Sequence, residues 1–190
     1  MNQSFVFLAD GFEDVEAITV VDLLRRADIP VKTVSITASL QVKSAHGMSV
    51  TADLLFDNTN FEDPAWLILP GGMPGATNLY EFVPLQELLK RQVESSEGRI
   101  AAICAAPAVV LGQLGLLEGE KATCYPGFEG MLKGAEPQDA AVVSSGRFVT
   151  ASGPAKAMIW ALKIIEIQCG AQKSSEVANG LLYCSAQTEM

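Results

Sequence analysis

Hydrophobic and polar positions follow two rhythms along this chain. Short apolar runs bounded by turn residues fall at 4–9, 31–37, 65–69 and 99–104, the pattern of strands buried on both faces. Between them, apolar residues recur every three or four positions. Val15, Ile18, Val21, Leu24 and Ala27 predict a helix over 15–27. Arg25 and Arg26 fall in its last turn, where cations suit the helix dipole, and Asp28-Ile29-Pro30 ends it. Residues 85–93 predict an amphipathic helix. Pro107, which lacks an N–H, suits the first position of the next one. Hairpins are expected over 40–56, turning near His46-Gly47, and over 141–151, turning around Ser145-Gly146-Arg147. Residues 121–125 read as a short strand, 128–133 as a short helix, and 154–169 and 174–183 as two closing helices.

Strand–helix alternation with short buried strands implies an α/β fold, a mostly parallel sheet with helices on both faces. No repeat, low-complexity tract or linker interrupts it, so residues 1–190 read as one domain. Active sites of such sheets lie beyond the carboxyl ends of the strands. The loops after Ala9, Leu69 and Ile103 therefore matter most.

Composition narrows the chemistry. With 49% hydrophobic and 18% charged residues the chain is not disordered. A net charge of −9 argues against a nucleic-acid partner. One His cannot build a multi-histidine metal site, and no metal is expected. The four Cys form no C-x-x-C pair, and free thiols are expected of them. Met1-Asn2-Gln3-Ser4 carries no positive charge, and the apolar run behind it falls far short of the roughly 20 residues of a membrane span. The expectation is a soluble, cytoplasmic protein without a membrane partner.

The strongest chemical feature is Ala101-Ala102-Ile103-Cys104-Ala105-Ala106-Pro107. A buried strand runs into a helix, and a Cys flanked by small residues stands at the junction, the layout of a nucleophile elbow. The helix N-terminus behind such a sulfur stabilises a thiolate and can lower a Cys pKa to ~3.5–7.5. The plainer reading is a core Cys at a strand end. Leu69-Pro70-Gly71-Gly72 lets backbone approach a ligand closely. If its strand neighbours the Cys strand, the Gly72 and Ala105 N–H groups would form an oxyanion hole.

In Asp10-Gly11-Phe12-Glu13-Asp14-Val15-Glu16, dipole compensation suffices for Glu13 and Asp14. Glu16 lies one turn further in. A carboxyl there, near Cys104, would be partly desolvated and able to hydrogen-bond the thiolate or act as a general acid/base. His46 reads as an exposed turn residue of a single subunit. Cys124 follows another strand and is expected to line the Cys104 pocket, with the Tyr125 hydroxyl pointing in. Cys169 and Cys184 read as structural.

At these loops the chain resembles the DJ-1/ThiJ/PfpI superfamily, in its DJ-1/ThiJ branch. Residues 8–16, 67–72 and 101–107 carry the likeness, with Thr150-Ala151-Ser152-Gly153-Pro154 and the helix after it. The resemblance implies a flavodoxin-like three-layer sandwich and a homodimer. It implies that Cys104 is the oxidation-prone nucleophile, Glu16 the acid bonded to it, and Gly72 with Ala105 the oxyanion donors. Three positions depart from family patterns. Ala105 stands where the protease branch has His. Tyr125 stands where animal members have His, as aromatic residues do in some bacterial relatives. His46 stands where many relatives place an Arg that reaches a neighbouring subunit's pocket.

Three functions compete. The first is a cofactor-independent glyoxalase or deglycase acting on 2-oxoaldehydes such as methylglyoxal, or on their glycation adducts, through Cys104 and Glu16. The second is a redox sensor or chaperone that works by oxidation of Cys104. The third is an amidase or peptidase, which needs a base that only Glu16 or another subunit's His46 offers.

Overall fold

A computed structural model describes residues 1–183. The N-terminal half contains β1 (Ser4–Leu8), α1 (Asp14–Arg26), β2 (Val31–Ser35), β3 (Gln41–Lys43), β4 (Ser49–Thr51), β5 (Leu54–Leu55), β6 (Trp66–Leu69), α2 (Gly75–Glu81) and α3 (Val83–Glu94). Then follow β7 (Arg99–Ile103), a wide π-helical stretch Pro107–Gly112, β8 (Lys121–Ala122), β9 (Glu136–Pro137), β10 (Val142–Ser145), β11 (Phe148–Ala151), α4 (Ala157–Cys169) and α5 (Ala171–Gly180). Seven strands form one sheet in the order β10-β11-β7-β6-β1-β2-β5, parallel except for the edge strand β10.

Side-chain alternation along the buried strands divides the core in two. Val6, Leu8, Ile68, Ala101 and Ile103 face α1 and α4. Phe5, Phe7, Leu67, Leu69, Ile100 and Ala102 face α3 and the Pro107 helix. The result is the expected three-layer α/β sandwich, helices on both faces of the sheet. Trp160, fully buried on α4, donates its indole N–H to the Val149 carbonyl at 3.1 Å, so that its large apolar area is buried without an unpaired polar group.

Adjacency of β1, β6 and β7 is what assembles the site. Val6 lies in register with Ile68, and Leu69 with Ala102. The loops leaving all three strands therefore meet at one edge of the sheet.

Several local expectations are corrected. The buried stripe of α1 is Glu16, Ala17, Val20, Leu23 and Leu24, while Val15 and Ile18 are about half exposed. This helix carries two apolar stripes, and the sheet takes the one that includes the carboxyl. Helix α2 follows the glycine loop directly, in a stretch for which the sequence pattern predicts no element, with Pro74 at its cap rather than inside it. Strand pairing stops at Ala122, and 128–133 is reduced to a single 3-10 turn, Glu129–Met131. The 40–56 segment is a hairpin of β3 and β4 followed by β5, which joins the main sheet beside β2. The last helix begins at Ala171, after Gly170 breaks α4 with a φ of 90°.

Candidate active site

Cys104 stands one residue beyond β7 with a φ of 62°, the left-handed conformation that non-glycine residues rarely adopt. Such a backbone costs roughly 1–3 kcal/mol and persists only where its surroundings hold it. Two hydrogen bonds do so: the Cys104 N–H donates to the Ala151 carbonyl at 2.9 Å, and the Cys104 carbonyl accepts from the Tyr125 N–H at 2.8 Å. Pro107 opens the following helix at its first turn, as expected. Ala105 and Ala106 are buried, which explains why the bend needs small residues. The turn sends the Cys104 side chain to the α1 face, where it is only 8% exposed.

Glu16 meets it from α1. The carboxyl is fully buried, on the stripe the helix directs at the sheet. Its Oε2 accepts the Gly71 N–H at 2.7 Å. Its Oε1 is buried without a hydrogen-bond partner. Burial pushes the Glu16 pKa up to about 7, against the lowering effect of the Gly71 N–H and of the neighbouring Cys104. The Cys104 pKa is pushed up to about 12, first by burial and then by the neighbouring carboxyl. Two groups this close titrate as a pair. The first proton leaves near neutrality and the second is held to high pH. At working pH the pair thus carries one proton and one negative charge, placed on sulfur or on oxygen.

The sulfur's charge has its own partners. The N–H groups of Ala105 and Gly72 point at Cys104 and favour the thiolate. Gly72 has a φ of 87°, and a Cβ there would lie 2.5 Å from the Glu13 nitrogen and the Gly11 oxygen. Gly71 is more confined still. Its Cβ would fall 2.7 Å from the Cys104 Cβ and 2.9 Å from Glu16 Oε2. The sequence offers Gly71 only as a possible pocket residue of the glycine loop; the structure adds its part in holding the carboxyl. The double glycine was the available signal.

The other candidates lie around this pair or away from it. Tyr125 supplies the backbone bond to Cys104, and its half-exposed ring packs near Gly153. Cys124 does not join the pocket. It packs in the core on the α3 face and lines a separate cleft of about 610 Å³ with Lys156 and Ser152. Side-chain alternation past β8 is the reason. His46 is exposed at the hairpin turn, and its Nδ1 lies 2.9 Å from Asp14 Oδ2 and 3.8 Å from Glu13 Oε2. Glu13, Asp14 and His46 are a grouping of metal-ligand type among the described residues, and these ion pairs occupy it. Cys104, Cys124 and Cys169 are free thiols, while Cys184 lies outside the described residues.

This geometry has counterparts in known proteins. The profile of the DJ-1/PfpI family matches residues 3–167. Protein DJ-1 homolog B of Arabidopsis thaliana is 37% identical over 92% of this chain, which spans 40% of that protein's length; homolog A is spanned to 45%. The glutathione-independent glyoxalase DJR-1.2 of Caenorhabditis elegans is 35% identical over 89% of both chains. Among solved structures, oxidized Toxoplasma gondii DJ-1 superposes with a TM-score of 0.91 at 35% identity, covering 97% of this chain and 100% of its own. The relatives include plant and animal DJ-1 proteins, so the likeness is to the DJ-1/PfpI family as a whole and not specifically to its ThiJ branch. A strained elbow cysteine beside a buried carboxyl, on a chain matched along most of its length, places this protein in the DJ-1/PfpI family.

Proposed function

We propose that this protein is a cysteine-dependent, cofactor-independent glyoxalase or deglycase that converts 2-oxoaldehydes such as methylglyoxal, or their adducts, to 2-hydroxy acids. The observation that carries the reading is the fully buried Glu16 carboxyl against the Cys104 thiol, with the Gly72 and Ala105 N–H groups at the sulfur. The named activity of the worm relative supports it. In this reading the Cys104 thiolate adds to the aldehyde carbon while Glu16 gives its proton to the aldehyde oxygen, forming a hemithioacetal. The resulting Glu16 carboxylate takes the proton from that carbon and returns it to the neighbouring carbon, while the hydroxyl proton of the hemithioacetal passes to the neighbouring oxygen. The product is a lactyl thioester. Water cleaves it, restoring the thiol and releasing lactate. Methylglyoxal plus water gives lactate, so the oxidised and reduced carbons belong to one substrate and no cofactor takes part.

The test is D-lactate release from methylglyoxal by the wild type, Cys104→Ser and Glu16→Gln. Both variants are expected to lose about 100-fold or more. Equal rates in all three would overturn the reading.

The oxidised state named for the Toxoplasma relative favours a second reading, in which Cys104 is a redox sensor. A sulfinate there would accept from the Gly72 and Ala105 N–H groups and from protonated Glu16. Mild peroxide should then add about 32 Da on Cys104 alone, the mass of two oxygens. An amidase or peptidase has less support: Ala105 follows Cys104, and Asp14 engages His46 on the surface.

The cellular form of the reading is a cytoplasmic homodimer of the bacterial deglycase-like branch, to which the aromatic Tyr125 points. Support for a second subunit comes from the outer stripe of α1. Val15, Ile18 and, on the hairpin, Met48 leave an apolar face about half exposed.

A further inference from the structure

The hairpin that carries His46 is stitched to the loop that starts α1. The Gly11 N–H donates to the Lys43 carbonyl and the Ala45 N–H to the Phe12 carbonyl, both at 2.8 Å, and Asp10 accepts the Lys43 N–H at 2.8 Å. These bonds hold the imidazole over the first turn of α1, against Asp14 and beside Glu13. From Glu13 the path to the reacting pair is two hydrogen bonds long. Its backbone N–H donates to the Gly71 carbonyl at 3.0 Å, and the Gly71 N–H donates to Glu16. Three carboxyl groups thus crowd one helix turn, and the Glu13 charge works against ionisation of Glu16.

We propose that His46 is an electrostatic positioning residue of the Cys104–Glu16 pair, its imidazolium holding the Glu13 and Asp14 carboxylates and so allowing Glu16 to give up its proton. The inference rests on the reading of Cys104 and Glu16 as the reacting pair, but not on the identity of the substrate. The charged groups around the ring are Glu13 and Asp14 on the helix, with Lys43 and Asp10 at the base of the hairpin. Asp14, and then Glu13, push the His46 pKa above its ordinary 6.5. A positive charge on this turn favours the negative form of the pair. Its loss should raise the midpoint of the first proton release by about half a pH unit, or threefold in proton affinity.

The experiment follows alkylation of Cys104 by iodoacetamide against pH, read on the Cys104 peptide by mass spectrometry. Wild type, His46→Gln and His46→Arg are compared. His46→Gln removes the charge and should shift the rise to higher pH. His46→Arg keeps the charge at every pH and should restore or lower the midpoint. The wild-type curve should lie between them and be broader, since two coupled groups titrate in it. Coincident midpoints in the three proteins would overturn the proposal, as would a shift shared by His46→Gln and His46→Arg. Because alkylation needs no aldehyde turnover, a shifted midpoint in a protein that releases no lactate would leave this inference standing while the proposed activity failed.

Discussion

Gly71 and Glu16 are joined by one hydrogen bond of 2.7 Å, and this bond sets where the buried carboxyl points. Helix α1 brings Glu16 to the core face, and the Gly71 N–H satisfies one of its oxygens while the other is buried without a partner. The approach is possible only without a side chain. A Cβ at position 71 would collide with Cys104 on one side and Glu16 on the other.

Gly71→Ala is therefore expected to act on the site and the fold together. Crowding of a packed region costs roughly 1–3 kcal/mol, and lactate release should fall by an order of magnitude or more. Thermal melting and the methylglyoxal assay check both effects. Unchanged activity in a folded Gly71→Ala protein would show that the carboxyl's position is not set by this contact.

Activity should follow the first proton release of the pair. Below about pH 7 both the thiol and the carboxyl are protonated, and neither a thiolate nor a base is present. The rate at limiting methylglyoxal should rise with pH through about 7 and level off beyond it. In Glu16→Gln that rise should disappear from the residual rate. A rise near 7 that survives Glu16→Gln would assign the titration to another group.

Much of this was legible in the sequence, for reasons that differ by element. Strands β1, β6 and β7 are apolar throughout apart from Ser4 and Arg99 at their starts, and burial on both faces leaves few alternatives. The Cys104 elbow was legible because small residues flank a thiol where a strand meets a proline-started helix. The inward stripe of α1 was not. Apolar periodicity does not say which of two stripes faces the sheet, and the one chosen includes a carboxyl. The place of Cys124 was not legible, because the face a side chain takes beyond a two-residue strand depends on where pairing stops. The His46–Asp14 pair joins residues 32 apart, and only the docking of the hairpin on the β1–α1 loop creates it.

Asp53 offers an acid-sensitive contact away from the site. Its Oδ2 accepts from the Thr33 N–H and hydroxyl at 2.9 and 3.0 Å and from Arg25 at 2.9 Å, which ties β2 to α1. Burial pushes its pKa up, but the Thr33 bonds and the charges of Arg25 and Lys32 outweigh that and hold it below 3.8. A carboxyl held low stabilises the fold above its unfolded pKa, and that contribution is lost as pH falls through the folded value. Asp53→Ala should cost about 1–2 kcal/mol at neutral pH, with a smaller difference from wild type below pH 3.8. A constant difference down to pH 2 in urea unfolding would contradict this.

Glu16 should work in the opposite direction. Its pKa rises from 4.5 to about 7 on folding, chiefly through burial. Between those values the folded protein keeps a proton that the unfolded chain has lost, so stability falls as pH rises through this window. The full loss above pH 7 corresponds to roughly 3 kcal/mol. Glu16→Gln keeps the shape of the protonated acid and an oxygen for the Gly71 N–H, but it cannot ionise. Urea unfolding should therefore show the variant gaining on wild type from pH 4.5 to 8, by up to about 3 kcal/mol. The wild type would then hold a buried negative charge on the Cys104–Glu16 pair at neutral pH at the expense of stability, as expected of a site kept for reactivity. Parallel stability curves for the two proteins across this range would mean that the carboxyl does not change protonation there, and the pH-dependent rate would need another source.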